Sequence, residues 1–345
     1  MSRSLIGLAA AAIAGLAIAP GAQAQNVQLY GLLDMSAGRF QAPGGDKVWR
    51  ADNGDMSTSY IGFKGTEDLG GGLKAKFKIE HFMRLDTGAA GRFNGDAFWA
   101  RDAYVGLSGA FGTTTLGRNT TPLFVSTLLF NAFGDSFGFS PSIRQLFTPA
   151  LLPFFGDTGW NNSIAYSSTD YNGLSFNLIA NLGEGAPGAT GRNVGANVLY
   201  FAGPLAATVA WQQVKNGDGL SPTSPFTAEP PGFSNQNTFQ LGVSYDLGVA
   251  KLFGQYTQVK TSATLDTKTT LWGVGASVPV GAGRVIAQYG SAKAEAGGDT
   301  TNKTLSVGYD YNLSKNTDAY AVFMNDKVRG LASGNSLAAG VRLRF

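Results

Sequence analysis

A chain of 345 residues with 14% charged residues, 48 glycines and no cysteine is unlike an ordinary soluble domain, where about 25% of residues are charged and about 7% are glycine. Its 26 basic and 23 acidic residues leave too small a balance to imply a nucleic-acid partner. The missing cysteines exclude disulfide staples and thiolate chemistry.

Residues 1–24 read as an export signal. Arg3 supplies the positive start, Leu5 to Ala19 an apolar run, and Ala22-Gln23-Ala24 small residues at a cleavage site. The run is too short to cross a membrane as a helix. The expected mature chain, residues 25–345, shows no linker or shift of composition and reads as one domain. It contains no later stretch of about 18 apolar residues. Any membrane crossing would therefore have to be made by strands closed on themselves, since closure pairs every backbone group.

The mature chain alternates along most of its length. Between Leu73 and Leu85, Leu73, Ala75, Phe77, Ile79 and Met83 fall on one side. Lys74, Lys76, Lys78, Glu80, Phe82 and Arg84 fall on the other. A period of two places them on opposite faces of a strand. A charge turned toward lipid at mid-bilayer costs about 2–4 kcal/mol, so the lysine row is expected to face a lumen, with Glu80 partly cancelling it. His81 breaks the apolar face and is expected at a rim or a subunit contact. Similar segments recur to the end, where Leu337, Ala339, Val341, Leu343 and Phe345 oppose Arg342 and Arg344.

Connections alternate in length. Short ones sit at Leu69-Gly70-Gly71-Gly72, Gly109 to Gly112, Tyr171-Asn172-Gly173, Ala202-Gly203-Pro204 and Val280 to Gly283. Longer polar ones, such as Lys215 to Gln236, lie between. Aromatics gather near strand ends, among them Trp99, Phe111, Tyr166, Tyr171, Phe201, Tyr245, Tyr309 and Tyr311. This is the pattern of a transmembrane antiparallel β-barrel of about sixteen strands. A soluble β-sandwich is the competing reading, and it would lack a lipid-facing belt.

Thr120 to Gly159 interrupts the alternation for about forty residues. A connection this long is usually functional or disordered. Its many phenylalanines and leucines argue against disorder. It is expected to pack against something, and the barrel interior is the available place.

Enzyme chemistry is thin. His81 is the one histidine, so no Ser-His arrangement and no histidine metal spacing can be built. Gly281-Ala282-Gly283 lacks the third glycine and the helix of a dinucleotide site and reads as a turn. No catalytic residue, metal or cofactor is expected.

Five stretches carry a family resemblance: Val27 to Asp34 (VQLYGLLD), Ile61 to Leu73 (IGFKGTEDLGGGL), Asp102 to Arg118 (DAYVGLSGAFGTTTLGR), Val249 to Tyr256 (VAKLFGQY) and Gly308 to Ser314 (GYDYNLS). They resemble the general porins of Gram-negative bacteria, specifically the β-proteobacterial branch. The resemblance implies a homotrimer of sixteen-stranded barrels in outer-membrane lipid and lipopolysaccharide. It implies a terminal Phe345 read by the barrel-assembly machinery. It also implies a third loop folded into the pore, with acids facing a basic wall. The acids would be Asp135 and Asp157, each in a Phe-Gly-Asp, with Arg144 between them. The wall would include Lys64, Lys74, Lys76, Lys78, Glu80, Arg84 and Arg118. Two departures thin the basic cluster. Tyr60 stands where the family usually has an arginine, and no basic residue occurs from Ser163 to Thr169.

The implied function is passive diffusion of small hydrophilic solutes and ions, with a mild preference for anions. An adhesin or surface antigen using the same barrel is one alternative. A channel selective for small aromatic acids is another, if some loop aromatics line the pore rather than all packing away.

Overall fold

The computed structural model describes residues 26–147, 154–182, 192–215, 230–296 and 298–345. The expected signal, residues 1–24, lies outside them, as does most of the expected long connection Lys215 to Gln236. The strands in chain order are β1 (Gln28–Phe40), β2 (Val48–Asn53), β3 (Tyr60–Gly70), β4 (Leu73–Arg84), β5 (Ala89–Ala90), β6 (Ala103–Gly109), β7 (Gly112–Thr120), β8 (Gly159–Ser167), β9 (Leu174–Asn181), β10 (Val194–Ala202), β11 (Leu205–Val214), β12 (Asn235–Asp246), β13 (Lys251–Ser262), β14 (Thr267–Val280), β15 (Gly283–Glu295), β16 (Asp299–Asn312), β17 (Thr317–Val328) and β18 (Gly334–Arg344). Two helices, α1 (Pro122–Leu129) and α2 (Pro141–Phe147), lie between β7 and β8.

Every neighbouring pair is antiparallel, and the sheet closes. β1 pairs with β18 from Leu32↔Arg344 to Arg39↔Leu337. Its other edge pairs with β2 toward one end and β3 toward the other. β2 and β3 are thus two halves of one stave, and β5 is a two-residue strand inside the β4–β6 connection. The barrel has sixteen staves. Gly31 helps close it, since its amide donates to the Phe345 carbonyl (3.0 Å) and the reverse bond is 3.1 Å. A side chain at Gly31 would collide with the Phe345 ring.

Burial inverts the soluble pattern. Along β11, Thr208, Ala210, Gln212 and Val214 are buried, while Leu205, Val209 and Trp211 are exposed. Across β12 and β13, Gln236, Thr238, Gln240, Gln255 and Thr257 are buried, with Phe239, Leu241, Val243 and Leu252 exposed. A sheet that hides its glutamines and presents its leucines is built for a hydrocarbon solvent outside and polar groups within. Phe111, Tyr171, Phe201, Tyr245, Tyr311 and Phe345 lie near the short-turn end and are exposed, as a girdle at one interface requires. No helix among the described residues is long and apolar enough to cross a membrane.

Two local features depart from the sequence reading. The stave formed by β2 and β3 breaks at residues 54–59. The Asp34 carboxylate accepts the amides of Met56 and Ser57 (both 2.7 Å) and the Tyr320 hydroxyl (2.6 Å). This buried acceptor draws the chain inward and replaces the ladder bonds the break removes. The second concerns His81, expected at a rim or a subunit contact. It is buried under its own chain: its ring stacks on Phe98 at 4.0 Å and meets Trp99 edge-on at 6.3 Å. The β4–β6 connection folds back over the outside of β4 and covers it.

Candidate functional site

The segment between β7 and β8 is anchored to the polar interior face. Thr121 caps α1, its hydroxyl accepting the Phe124 amide, and proline follows at the first helical position. Ser140-Pro141 starts α2 in the same way, with Ser140 Oγ accepting the Ile143 amide. The segment's lack of alternation made it read as a loop, although both serine- or threonine-proline pairs carried a helix signal. From α1, Ser126 Oγ lies 2.9 Å from Thr208 Oγ1, and Gln255 Nε2 donates to the Thr127 carbonyl (2.7 Å). Asn197 Nδ2 donates to the Pro122 carbonyl (2.9 Å). From the α2 side, Ser306 Oγ donates to the Phe139 carbonyl (2.6 Å), and Arg144 pairs with Asp326 of β17 (3.0 Å). Phe130, Phe139, Phe147, Phe154 and Phe155 are buried, whereas Phe124, Leu128 and Phe137 are only partly covered.

The two loop acids are placed differently. Asp157 is fully buried and pairs with Arg92 (2.7 Å) and Arg118 (3.2 Å). Burial alone would raise its carboxyl, but the two guanidiniums outweigh that and hold it well below the usual carboxylate range. Arg118 and Asp157, expected to face each other across a pore, are instead in direct contact. A register shift between Gly117 and Asn119 turns both Arg118 and Asn119 inward. Asp135 remains partly exposed and accepts from Ser57 Oγ (3.0 Å). Ser57 Oγ also accepts from Arg342 Nη1 (2.8 Å).

Lys78 pairs with Asp102 (2.7 Å) and approaches Glu80 (3.6 Å). Lys74 is exposed and Lys76 partly so. Lys64 lies over the ring of Tyr30 (4.6 Å), whose hydroxyl donates to Glu80 (2.6 Å). Arg84 does not join this group. Its Nη2 donates to the Ala90 carbonyl and to Asn94 Oδ1, so it fastens the β4–β6 connection.

Two adjoining cavities flank the segment. The first, about 430 Å³, includes Asp135, Arg101, Lys251, Arg284, Arg342 and Arg344 in its lining. Lys251, Arg284 and Arg344 lie beside short connections. The second, about 330 Å³, includes Lys78, Arg101, Phe82, Phe124, Leu128 and Phe137. Arg101, Leu128 and Asp135 border both, so they stand where the two meet.

Arg101 was not singled out in the sequence. Its guanidinium pairs with Glu80 (2.5 Å) and lies 4.1 Å from the ring centre of Tyr60. Tyr60 is the position where the resembled family pattern has an arginine, and a residue of the connection leading into β6 brings a guanidinium to its ring. The missing arginine at 60 was a usable signal to look for a replacement, but residues 91–102 have no periodicity to say where Arg101 would point. Arg92 was missed for the same reason, whereas Arg284 and Lys251 lie in β15 and β13, where alternation was available to place them.

The ion pairs share one geometry. Side-chain exposure is 47% against 5% for Arg284 and Asp310, 43% against 3% for Arg344 and Asp318, and 31% against 1% for Arg101 and Glu80. In every pair among the described interior residues the acid lies deeper than its cation.

A closed antiparallel barrel, apolar outside and polar within, defines the class of outer-membrane-type transmembrane barrels. The comparisons narrow it. The model of the Gram-negative porin family matches residues 9–331, and the chain belongs to that family. It is similar to outer membrane porin protein 32 of Delftia acidovorans, 33% identical over 99% of this chain and 95% of the relative. An outer membrane porin protein of Bordetella pertussis is 27% identical over 98% and 99% of the two chains. Among solved structures, an anion-selective porin from Comamonas acidovorans superposes with a TM-score of 0.76 at 29% identity, covering 93% of this chain and all of that one. The protein is thus an outer-membrane porin, a channel for passive diffusion, and its relatives are channels rather than enzymes.

Proposed function

We propose that this porin conducts small hydrophilic solutes with a mild preference for anions, and that residues 121–158 narrow its lumen. The observation that carries the preference is the depth order of the ion pairs. A solute meets the exposed guanidinium or ammonium before the buried carboxylate, so each nominally neutral pair presents its positive end. Lys64 and Lys74, exposed and without a carboxylate partner among the described ion pairs, add to it. The anion selectivity printed for the Comamonas porin agrees with this reading. Bilayer conductance tests it directly. A reversal potential of anionic sign in a potassium chloride gradient is expected, and a cationic sign refutes the preference. Trimming residues 124–155 is expected to raise single-channel conductance, and unchanged conductance refutes the narrowing.

Three further expectations belong to the same proposal. Residues 1–24 are removed on export. The terminal Phe345 serves barrel assembly, which its contact with Gly31 at the closing seam supports. The chain works as a homotrimer, for which an apolar groove of about 460 Å³ outside β3, β4, β6 and β7 offers a surface.

A further inference from the structure

The smaller cavity has two unlike kinds of lining. One is apolar: Phe124 and Leu128 from α1, Phe137 from the segment after it, and Phe82 from β4. The other is charged: Lys78, Arg92 and Arg101, with Asp102 and Asp135 among them. Most of the segment's aromatics are packed away, but Phe124, Leu128 and Phe137 keep part of their surface in the cavity. Leaving apolar surface in a water-filled passage is unfavourable unless something covers it. In the same lining, Arg101 has five N–H groups, and its pair with Glu80 uses one nitrogen.

We infer that this cavity favours monocarboxylates carrying a flat apolar ring over equally charged but hydroxylated ones. The carboxylate meets Arg101 and Lys78, and the ring lies against Phe124, Leu128 and Phe137. The inference rests on the proposed narrowing of the lumen here. Where a passage is narrowest, the free energy of the solute sets the barrier, so a contact formed there raises permeability. Asp135 and Asp102 in the same lining oppose a second negative charge, which favours monoanions over dianions.

The test uses the intact porin in planar bilayers and two ring monocarboxylates, benzoate and shikimate, each measured against chloride by reversal potential. The benzoate-to-shikimate permeability ratio is expected to exceed the ratio of their free-solution mobilities by roughly threefold, the scale of one ring-on-ring contact. Phe124→Ser with Phe137→Ser is expected to bring it down to the mobility ratio. Phe124→Leu, which keeps the bulk without the ring, is expected to fall between. A wild-type ratio equal to the mobility ratio overturns the inference. So does a raised ratio that the serine variant leaves unchanged in a barrel still showing heat-shifted migration. The potassium chloride reversal potential is read separately: a cationic sign there defeats the anion preference, while the benzoate ratio still judges this inference.

Discussion

Phe133-Gly134-Asp135 and Phe155-Gly156-Asp157 are the same tripeptide at two places in one internal segment, and the fold gives them opposite tasks. Asp157 lies fully buried between Arg92 and Arg118, joining the end of the segment to the β4–β6 connection and to β7. Asp135 borders both cavities and is held by one hydroxyl, Ser57. The difference is made by what surrounds each site. At 157 two guanidiniums converge behind the chain, while at 135 the partner is a neutral side chain and open space remains. A motif match can nominate both acids for a pore, but only the packing separates an anchor from a lining group.

The largest effect is expected at Asp157. Asp157→Asn leaves Arg92 with Asp96 alone and Arg118 buried without its carboxylate, a loss of about 3–5 kcal/mol for a broken buried pair. The midpoint of the heat-induced migration shift is expected to fall accordingly, and an unchanged midpoint would remove Asp157 from its anchoring role. The pH dependence sharpens this. The folded-state pKa of Asp157 lies below the ordinary 3.8, so the carboxylate's stabilisation is fully present above 3.8 and is lost as pH falls through the folded value. The gap between wild type and Asp157→Asn is expected to stay constant from neutral pH to 3.8 and to close only below it. A gap that closes near neutrality contradicts the assignment.

Asp135→Asn is expected to act on ions instead. Removing one charge from a water-filled passage changes the energy of an ion about 4 Å away by ~1 kcal/mol, roughly fivefold in local concentration. The reversal potential is expected to move further toward anions, with stability little changed. A large stability loss without a selectivity shift would make Asp135 a second anchor. The smallest effect is expected from Ser57→Ala, which frees Asp135 and removes one acceptor from Arg342. Its readout is a small rise in open-channel current noise with mean conductance nearly kept, and unaltered noise would show that Ser57 does not hold Asp135.

The barrel itself was legible because its determinants are local and periodic. Alternation from Leu73 to Leu85 fixed which face Lys74, Lys76 and Lys78 occupy, and the glycine-rich turns marked the strand ends. The site was legible only in part. Arg84 keeps the parity of the row, but the connection beside it captures its guanidinium. The Asp34 carboxylate breaks a strand through contacts 22 and 23 residues away, which no periodicity announces. Arg101 reaches the Tyr60 ring from the connection leading into β6, a neighbour in space rather than in sequence. Charges placed by folded-back connections depend on long-range packing, and short-range pattern is silent about them.

The proposed selectivity turns on the depth order of the interior ion pairs. Its most direct test is the reversal potential in a potassium chloride gradient, measured for the wild type and for Arg284→Gln combined with Arg344→Gln. These two changes remove the exposed cations from Asp310 and Asp318 and leave Arg342 in place. An anionic wild-type potential that weakens or inverts in the double variant is the predicted result. A cationic wild-type potential, or one that the double variant leaves unchanged, would contradict the claim that exposed cations over buried acids set the selectivity.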